Sequence, residues 1–173
     1  MGRAIIHDLP LEYPDYIVKE TWLPNTTMRN IERLRAEIRL LEEEYGPEKI
    51  VWASDYSWIL IKDWKLPPGY NTTHINVLVI VPDKYGYGPF YQDFFVPSEL
   101  RIKRNGNWAT LPHYFGEYPY KNRLDSALVS ELERNGWSYV CLHPERPIAS
   151  DNIVTYLTQV YTFLSDPFRA WER

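Results

Sequence analysis

A chain of 173 residues is about the size of one domain, and its 7 Trp, 14 Tyr and 6 Phe argue for a folded core over disorder and for an interaction surface. The formal net charge of -4 and the lack of a Lys/Arg cluster interleaved with aromatics argue against nucleic acid as a partner. A single cysteine, Cys141, cannot form an internal disulfide, so the chain reads as intracellular.

The opening "MGRAIIHDLPLEYPDY" meets charge and proline too early for a signal peptide. No apolar run approaches the roughly 18 residues of a membrane span, so the expectation is a cytoplasmic protein with no membrane partner. Residues 1–25, with Pro10, Pro14 and Pro24 around "DYIVKETWL", read as an N-terminal arm.

From Thr26 the pattern becomes helical. Met28, Ile31, Leu34, Ile38, Leu41 and Tyr45 recur at intervals of three and four between candidate caps at Asn25 to Thr27 and the stop Gly46-Pro47. Arg29, Arg33, Arg35 and Arg39 lie off that seam and would make part of the helix surface basic.

"KIVWASDYSWILIKDWKLP" (49–67) and "HINVLVIVP" (74–82) are rich in β-branched and aromatic residues and flank the turn "PPGYNTT", which predicts neighbouring antiparallel strands. "FYQDFFV" (90–96) adds another strand after the turn "PDKYGYGP". Residues 97–120 read as irregular, broken by Asn105-Gly106, Pro112, Gly116 and Pro119. "NRLDSALVSELERNG" predicts a short helix stopped at Gly136, "WSYVCL" a short strand, and the last helix starts from a cap at Ser150 or Asp151 with Ile153, Leu157, Val160 and Leu164 on one stripe. Helices and strands segregate along the chain, so the expected class is α+β, with the helices covering one face of an antiparallel sheet.

No Gly-rich loop joins a strand to a helix, no Gly-x-Ser-x-Gly elbow is present, and His7, His74, His113, His143 and Cys141 have no zinc-like spacing. Neither a cofactor nor a metal is expected. Cys141 follows the apolar run of a short strand and precedes a loop with two prolines and a capped helix; on residues alone it reads either as a small buried hydrophobe or as a nucleophile.

The order of these motifs resembles the ubiquitin-conjugating enzymes, including their divergent prokaryotic relatives. Residues 26–45 resemble the family's first helix and 50–81 its first strand pair; "VPDKYGYGPFYQDFFV" resembles its proline-bearing turn and third strand, through Pro82, Tyr85, Pro89 and Phe94. "YVCLHPERPIASDNIVTYLTQVYTFLSDPF" resembles its active-site region, with Cys141-Leu142 on the catalytic dipeptide and Leu164, Asp166 and Pro167 at the end of the following helix. The resemblance covers residues 26–168, leaving 1–25 as an arm and 169–173 as a tail.

The resemblance implies a fold of N-terminal helix, antiparallel meander, irregular crossover bearing the cysteine, and C-terminal helix. It implies that Cys141 accepts a ubiquitin-like modifier as a thioester from an adenylating activating enzyme and passes it to an amine, in a system that can include a deconjugating peptidase and, in bacteria, serve defence. It makes Arg29, Arg33 and Arg39 candidates for docking the activating enzyme. His143 could lower the thiol pKa or move a proton. The family's His-Pro-Asn motif is absent: those positions read "SELERNGWSY", Asn135 is the nearest asparagine, and "LPH" (111–113) lies far upstream. The Trp expected after the cysteine is also missing, and the stretch from Pro97 to Cys141 is longer than the family's. A non-catalytic binding module of the same fold is the alternative.

Overall fold

A computed structural model of the chain describes residues 29–82, 85–86, 93–112, 114–115, 126–140 and 152–168. Within them the elements run α1 (Ile31–Tyr45), β1 (Ile50–Trp52), β2 (Trp58–Lys65), β3 (His74–Ile80), β4 (Asp93–Pro97), β5 (Ile102–Arg104), β6 (Asn107–Ala109), β7 (Tyr114–Phe115), α2 (Ser126–Arg134), β8 (Trp137–Val140) and α3 (Ile153–Ser165). The class is α+β. The main sheet is six-stranded in the order β1-β2-β3-β4-β8-β7, with every pairing antiparallel, and β5-β6 form a separate hairpin.

The first helix begins later than the sequence predicts. Asn30 is its N-cap, itself in an extended conformation: its side-chain oxygen accepts from the Arg33 amide at 3.1 Å, and its own amide donates to the Tyr85 carbonyl at 2.9 Å. The expected caps at Asn25 to Thr27 lie outside the described residues, and Arg29 precedes the helix instead of standing on it. Leu34, Ile38 and Leu41 supply the buried stripe, and Gly46 ends the helix at φ +99°.

Residues 49–67 form two strands where one apolar run was expected. The Asp55 carboxylate accepts from the Ser57 amide at 3.0 Å and Tyr56 adopts φ +60°, so "ASDYS" folds β2 back on β1. A second departure lies in residues 97–120. Asn105 and Gly106 do not break an element; with φ +50° and +83° they make the two-residue turn that joins β5 to β6.

The helices also do not share one face. Strand side chains alternate, and the alternate sets are buried on opposite sides: Ile59, Ile61, Val77, Val79, Phe94 and Val140 cluster with the stripes of α1 and α3, while Leu60, Leu78, Ile80, Phe95 and Tyr139 cluster with Leu128, Val129 and Leu132 of α2. The sheet is therefore covered on both faces, and both sets of the apolar run 77–80 are buried.

The cap of α3 is Asn152, not Ser150 or Asp151. Its side chain accepts from the Thr155 amide at 3.0 Å while the Thr155 hydroxyl accepts from the Asn152 amide at 2.8 Å, a reciprocal box closed by the threonine three residues on. At the far end of α3 the Tyr70 hydroxyl donates to the Leu164 carbonyl at 2.8 Å.

Candidate functional site

Strand direction decides what meets at each end of the sheet. β3 and β8 both run antiparallel to β4, so their C-terminal ends, Ile80 and Val140, lie at the end where β4 starts. Val140 pairs with both Phe94 and Tyr114, and the next residue in the chain is Cys141. Cys141 and His143 themselves lie outside the described residues.

The start of α1 ties down the chain leaving β3 at this end. Arg29 is buried and donates from Nε and Nη2 to the Val81 carbonyl at 3.2 and 3.0 Å. The Asn30 amide holds the Tyr85 carbonyl, and the Tyr85 amide donates to the Pro82 carbonyl at 3.1 Å. Gly86, at φ +88°, lies so close to α1 that a Cβ there would stand 2.8 Å from the Asn30 Cβ. Only a glycine fits both the backbone and the gap.

Glu37 is the centre of this arrangement. It is buried on the apolar stripe of α1, and its carboxylate accepts from Arg33 Nε at 2.7 Å, from the Tyr85 hydroxyl, and from the backbone amide of Ile153 at 2.9 Å. The Ile153 amide is one of the donors that a helix start leaves without an intrahelical partner, so α1 caps α3 from across the fold. The Arg33 guanidinium also sits 5.4 Å from the centre of the Tyr85 ring. Its hydrogen bond to Glu37 raises its pKa, and burial, with the Glu37 charge beside it, holds the Tyr85 hydroxyl protonated well above the ordinary phenol range.

The residues singled out in the sequence separate in space. Asn135 does not lie at the Val140 end: it precedes β8, about 10 Å of strand away from that end. Its Nδ2 donates to the Glu131 carbonyl at 2.8 Å and its amide points to the Glu131 and Leu132 carbonyls, so it closes α2 ahead of Gly136. Of the arginines, Arg29 is buried against Val81, Arg33 is half-buried on Glu37 and Tyr85, and Arg39 is exposed on α1. Arg35, also exposed, donates to the Tyr56 hydroxyl at 2.9 Å. A basic face for docking is thus narrower than the sequence pattern suggests.

Glu37 was absent from the sequence candidates, although one signal could have found it: it is the charged residue within the stripe Leu34, Ile38, Leu41. Among the described residues no group of three or more His, Cys, Asp or Glu side chains could hold a metal ion, and no helix is long and apolar enough to cross a membrane. No protein-family model, no curated protein and no solved structure matches the chain.

Proposed function

We propose that the chain is a ubiquitin-conjugating-like carrier of divergent, prokaryotic type, with Cys141 as the residue that holds a ubiquitin-like modifier. The observation that carries this reading is topological. An N-terminal helix, an antiparallel meander and a C-terminal helix follow in that order, and a strand ends one residue before the lone cysteine, at the sheet end where the Tyr85 turn and the start of α3 are held on Glu37. The motif order from residue 26 to residue 168 supports it independently.

In this reading the Cys141 thiolate attacks the carbonyl carbon of the modifier's thioester on an adenylating activating enzyme. One C–S bond forms, the other breaks, and the activating enzyme's cysteine leaves as thiolate. An acceptor amine then attacks the new thioester, the amide forms, and Cys141 leaves as thiolate while the amine proton passes to a base, for which His143 is the candidate. Of the three arginines singled out for docking, Arg39 is the exposed one and so the candidate for the activating enzyme. The test is to combine the purified chain with the modifier, its activating enzyme and ATP. A thiol-sensitive adduct is expected with wild type and none with Cys141→Ala; an adduct on the Ala variant overturns the assignment.

A second reading, a non-catalytic module of this architecture that binds a modifier or a conjugation partner, is favoured by one observation: the Asn135 amide is engaged in closing α2 instead of facing the Val140 end. Iodoacetamide separates the two, since a carrier thiol labels in the native chain and a packed one labels only on unfolding.

A further inference from the structure

The β5-β6 hairpin stands apart from the main sheet, in the stretch between Pro97 and Cys141 that the motif order does not account for. It is firmly seated. Leu100, Ile102 and Leu111 bury their side chains in the core, the Lys103 amide donates to the Gly69 carbonyl at 2.8 Å, and the Asn71 amide donates to the Arg101 carbonyl at 3.0 Å. Trp108 therefore rides on a fixed ribbon, yet it is 56 % exposed, while Trp58, Trp64 and Trp137 are buried. The register sets Lys103 directly across from it. Ile102 is turned into the core, so strand alternation puts Lys103 and Trp108 together on the outer face. Arg104, at the turn, is exposed with its guanidinium 4.2 Å from the centre of the Phe168 ring. No Asp or Glu occurs between Glu99 and Glu117, and among the described residues neither Lys103 nor Arg104 has a carboxylate partner. The hairpin is thus a cationic spot on a chain of net charge -4.

Backbone geometry adds a third feature. Arg104 and Asn107 flank a two-residue turn and so form a hydrogen-bonded pair; the next pair, Lys103 and Trp108, is then a non-bonded one, with its amides and carbonyls turned away from the ribbon. The Lys103 amide meets Gly69 on one side, as this requires. The backbone groups of Trp108 face the other edge of β6, where no strand pairs among the described residues. We propose that this edge is a docking surface for an extended, carboxylate-bearing segment of a partner protein. The segment adds as a strand beside β6, lays an apolar side chain on the Trp108 indole and brings carboxylates to Lys103 and Arg104. Open backbone groups favour a peptide over a lipid surface, which makes no use of a strand edge, and the local charge selects acidic side chains. A fixed ribbon presents the indole at little ordering cost, which makes a Trp beside cations effective at an interface. This surface depends neither on Cys141 nor on the carrier reading.

Fluorescence anisotropy of a fluorescein-labelled peptide of alternating Glu and Val, titrated with the full-length chain, tests this. Three probes run beside it: the same peptide with Lys for Glu, the Glu-Val peptide N-methylated throughout, which keeps its charges and loses its donors, and, for the other classes of partner, phosphatidylserine vesicles and a single-stranded oligothymidine. Wild type is expected to bind the Glu-Val peptide, more weakly as NaCl is raised, and to bind neither altered peptide. Trp108→Thr and Lys103→Glu should each weaken binding about tenfold or more, and Trp52→Thr, at the other exposed indole, should leave it unchanged. Trp108→Thr keeps a β-branched residue on the strand, and Lys103→Glu serves if it does not fold. A wild type that does not bind the Glu-Val peptide, an N-methylated peptide that binds as well, or a Trp52→Thr variant that weakens as far overturns the proposal. Capture of the vesicles or of the oligonucleotide in place of the peptide also overturns it.

Discussion

At its start α3 gives the Ile153 amide to the Glu37 carboxylate; at its end the Leu164 carbonyl takes a hydrogen bond from the Tyr70 hydroxyl. Both bonds satisfy backbone groups that a helix end leaves over, and both are buried, yet they differ in kind. The Tyr70 bond joins two neutral groups and connects the 66–73 loop with one helix. The Glu37 carboxylate is a shared acceptor for a cation, a phenol and an amide from separate elements, so its loss leaves several donors without it at once. The charged hub should be the more cooperative of the two, and the end of the sheet beside Val140 the more sensitive to substitution.

Glu37→Ala is the largest test of that difference. It removes the carboxylate that the Tyr85 hydroxyl and the Ile153 amide share, and the expected loss is about 3 kcal/mol, read as a lower urea midpoint. Tyr85→Ile in the same background should then lose less than the sum of the two single effects, because they share a bond; full additivity would mean that the carboxylate is not a hub. Next comes Gly86→Ala, which places a Cβ 2.8 Å from the Asn30 Cβ at a φ of +88°. About 2 kcal/mol is expected to be lost, and an unchanged midpoint would mean that the turn is not pressed against α1.

Much of the fold was legible before its coordinates. The stripe Leu34, Ile38, Leu41, the leucines of α2 and the stripe of α3 each follow a helical period, and 74–80 follows a strand's, so these elements were found nearly in place. The misses share a physical cause. Nothing periodic in "KIVWASDYSWILIKDWKLP" shows that Tyr56 turns back at positive φ, and three-residue strands on each side of Asn105-Gly106 are too short to show alternation, so the glycine read as a breaker. That α2 covers the second face is a tertiary fact, carried by which strand residues its leucines meet. Glu37 is visible as a charge in an apolar stripe, but its partners Tyr85 and Ile153 lie 48 and 116 residues away, beyond the reach of any local pattern. Of the candidate residues, the sequence placed Cys141 next to a strand end, and it had no means of showing that Asn135 is taken up by α2.

Alkaline pH probes both ends of α3 together. Burial holds the Tyr70 and Tyr85 hydroxyls protonated above the range where a phenol ionises in the unfolded chain, with the Glu37 carboxylate adding to the effect at Tyr85. The unfolded chain releases these protons first, so the stability they contribute is whole below about pH 10 and is lost as the pH climbs toward the folded values. Each phenol should steepen the loss by up to about 1.4 kcal/mol per pH unit in that window. Denaturant midpoints measured across it should fall less steeply in Tyr70→Phe and in Tyr85→Phe than in wild type; equal slopes would show that neither hydroxyl is held protonated by the fold.

The smallest expected effect sharpens the contrast most. Tyr70→Phe keeps the ring in the core and removes only the donor to the Leu164 carbonyl, at a loss of about 1 kcal/mol at neutral pH. A carbonyl retains a second lone pair and sits at a helix end where the last turn can adjust, so the lesion should stay local. Hydrogen exchange is the measurement: amides in the last turn of α3 should open more readily, while those of β3, β4 and β8 keep their protection. The same experiment on Tyr85→Phe should loosen the first turns of both α1 and α3, because the bond it removes belongs to a carboxylate that holds both. If the two phenylalanine variants give equally confined patterns, the ends of α3 are energetically alike, and the network around Glu37 is a set of independent bonds.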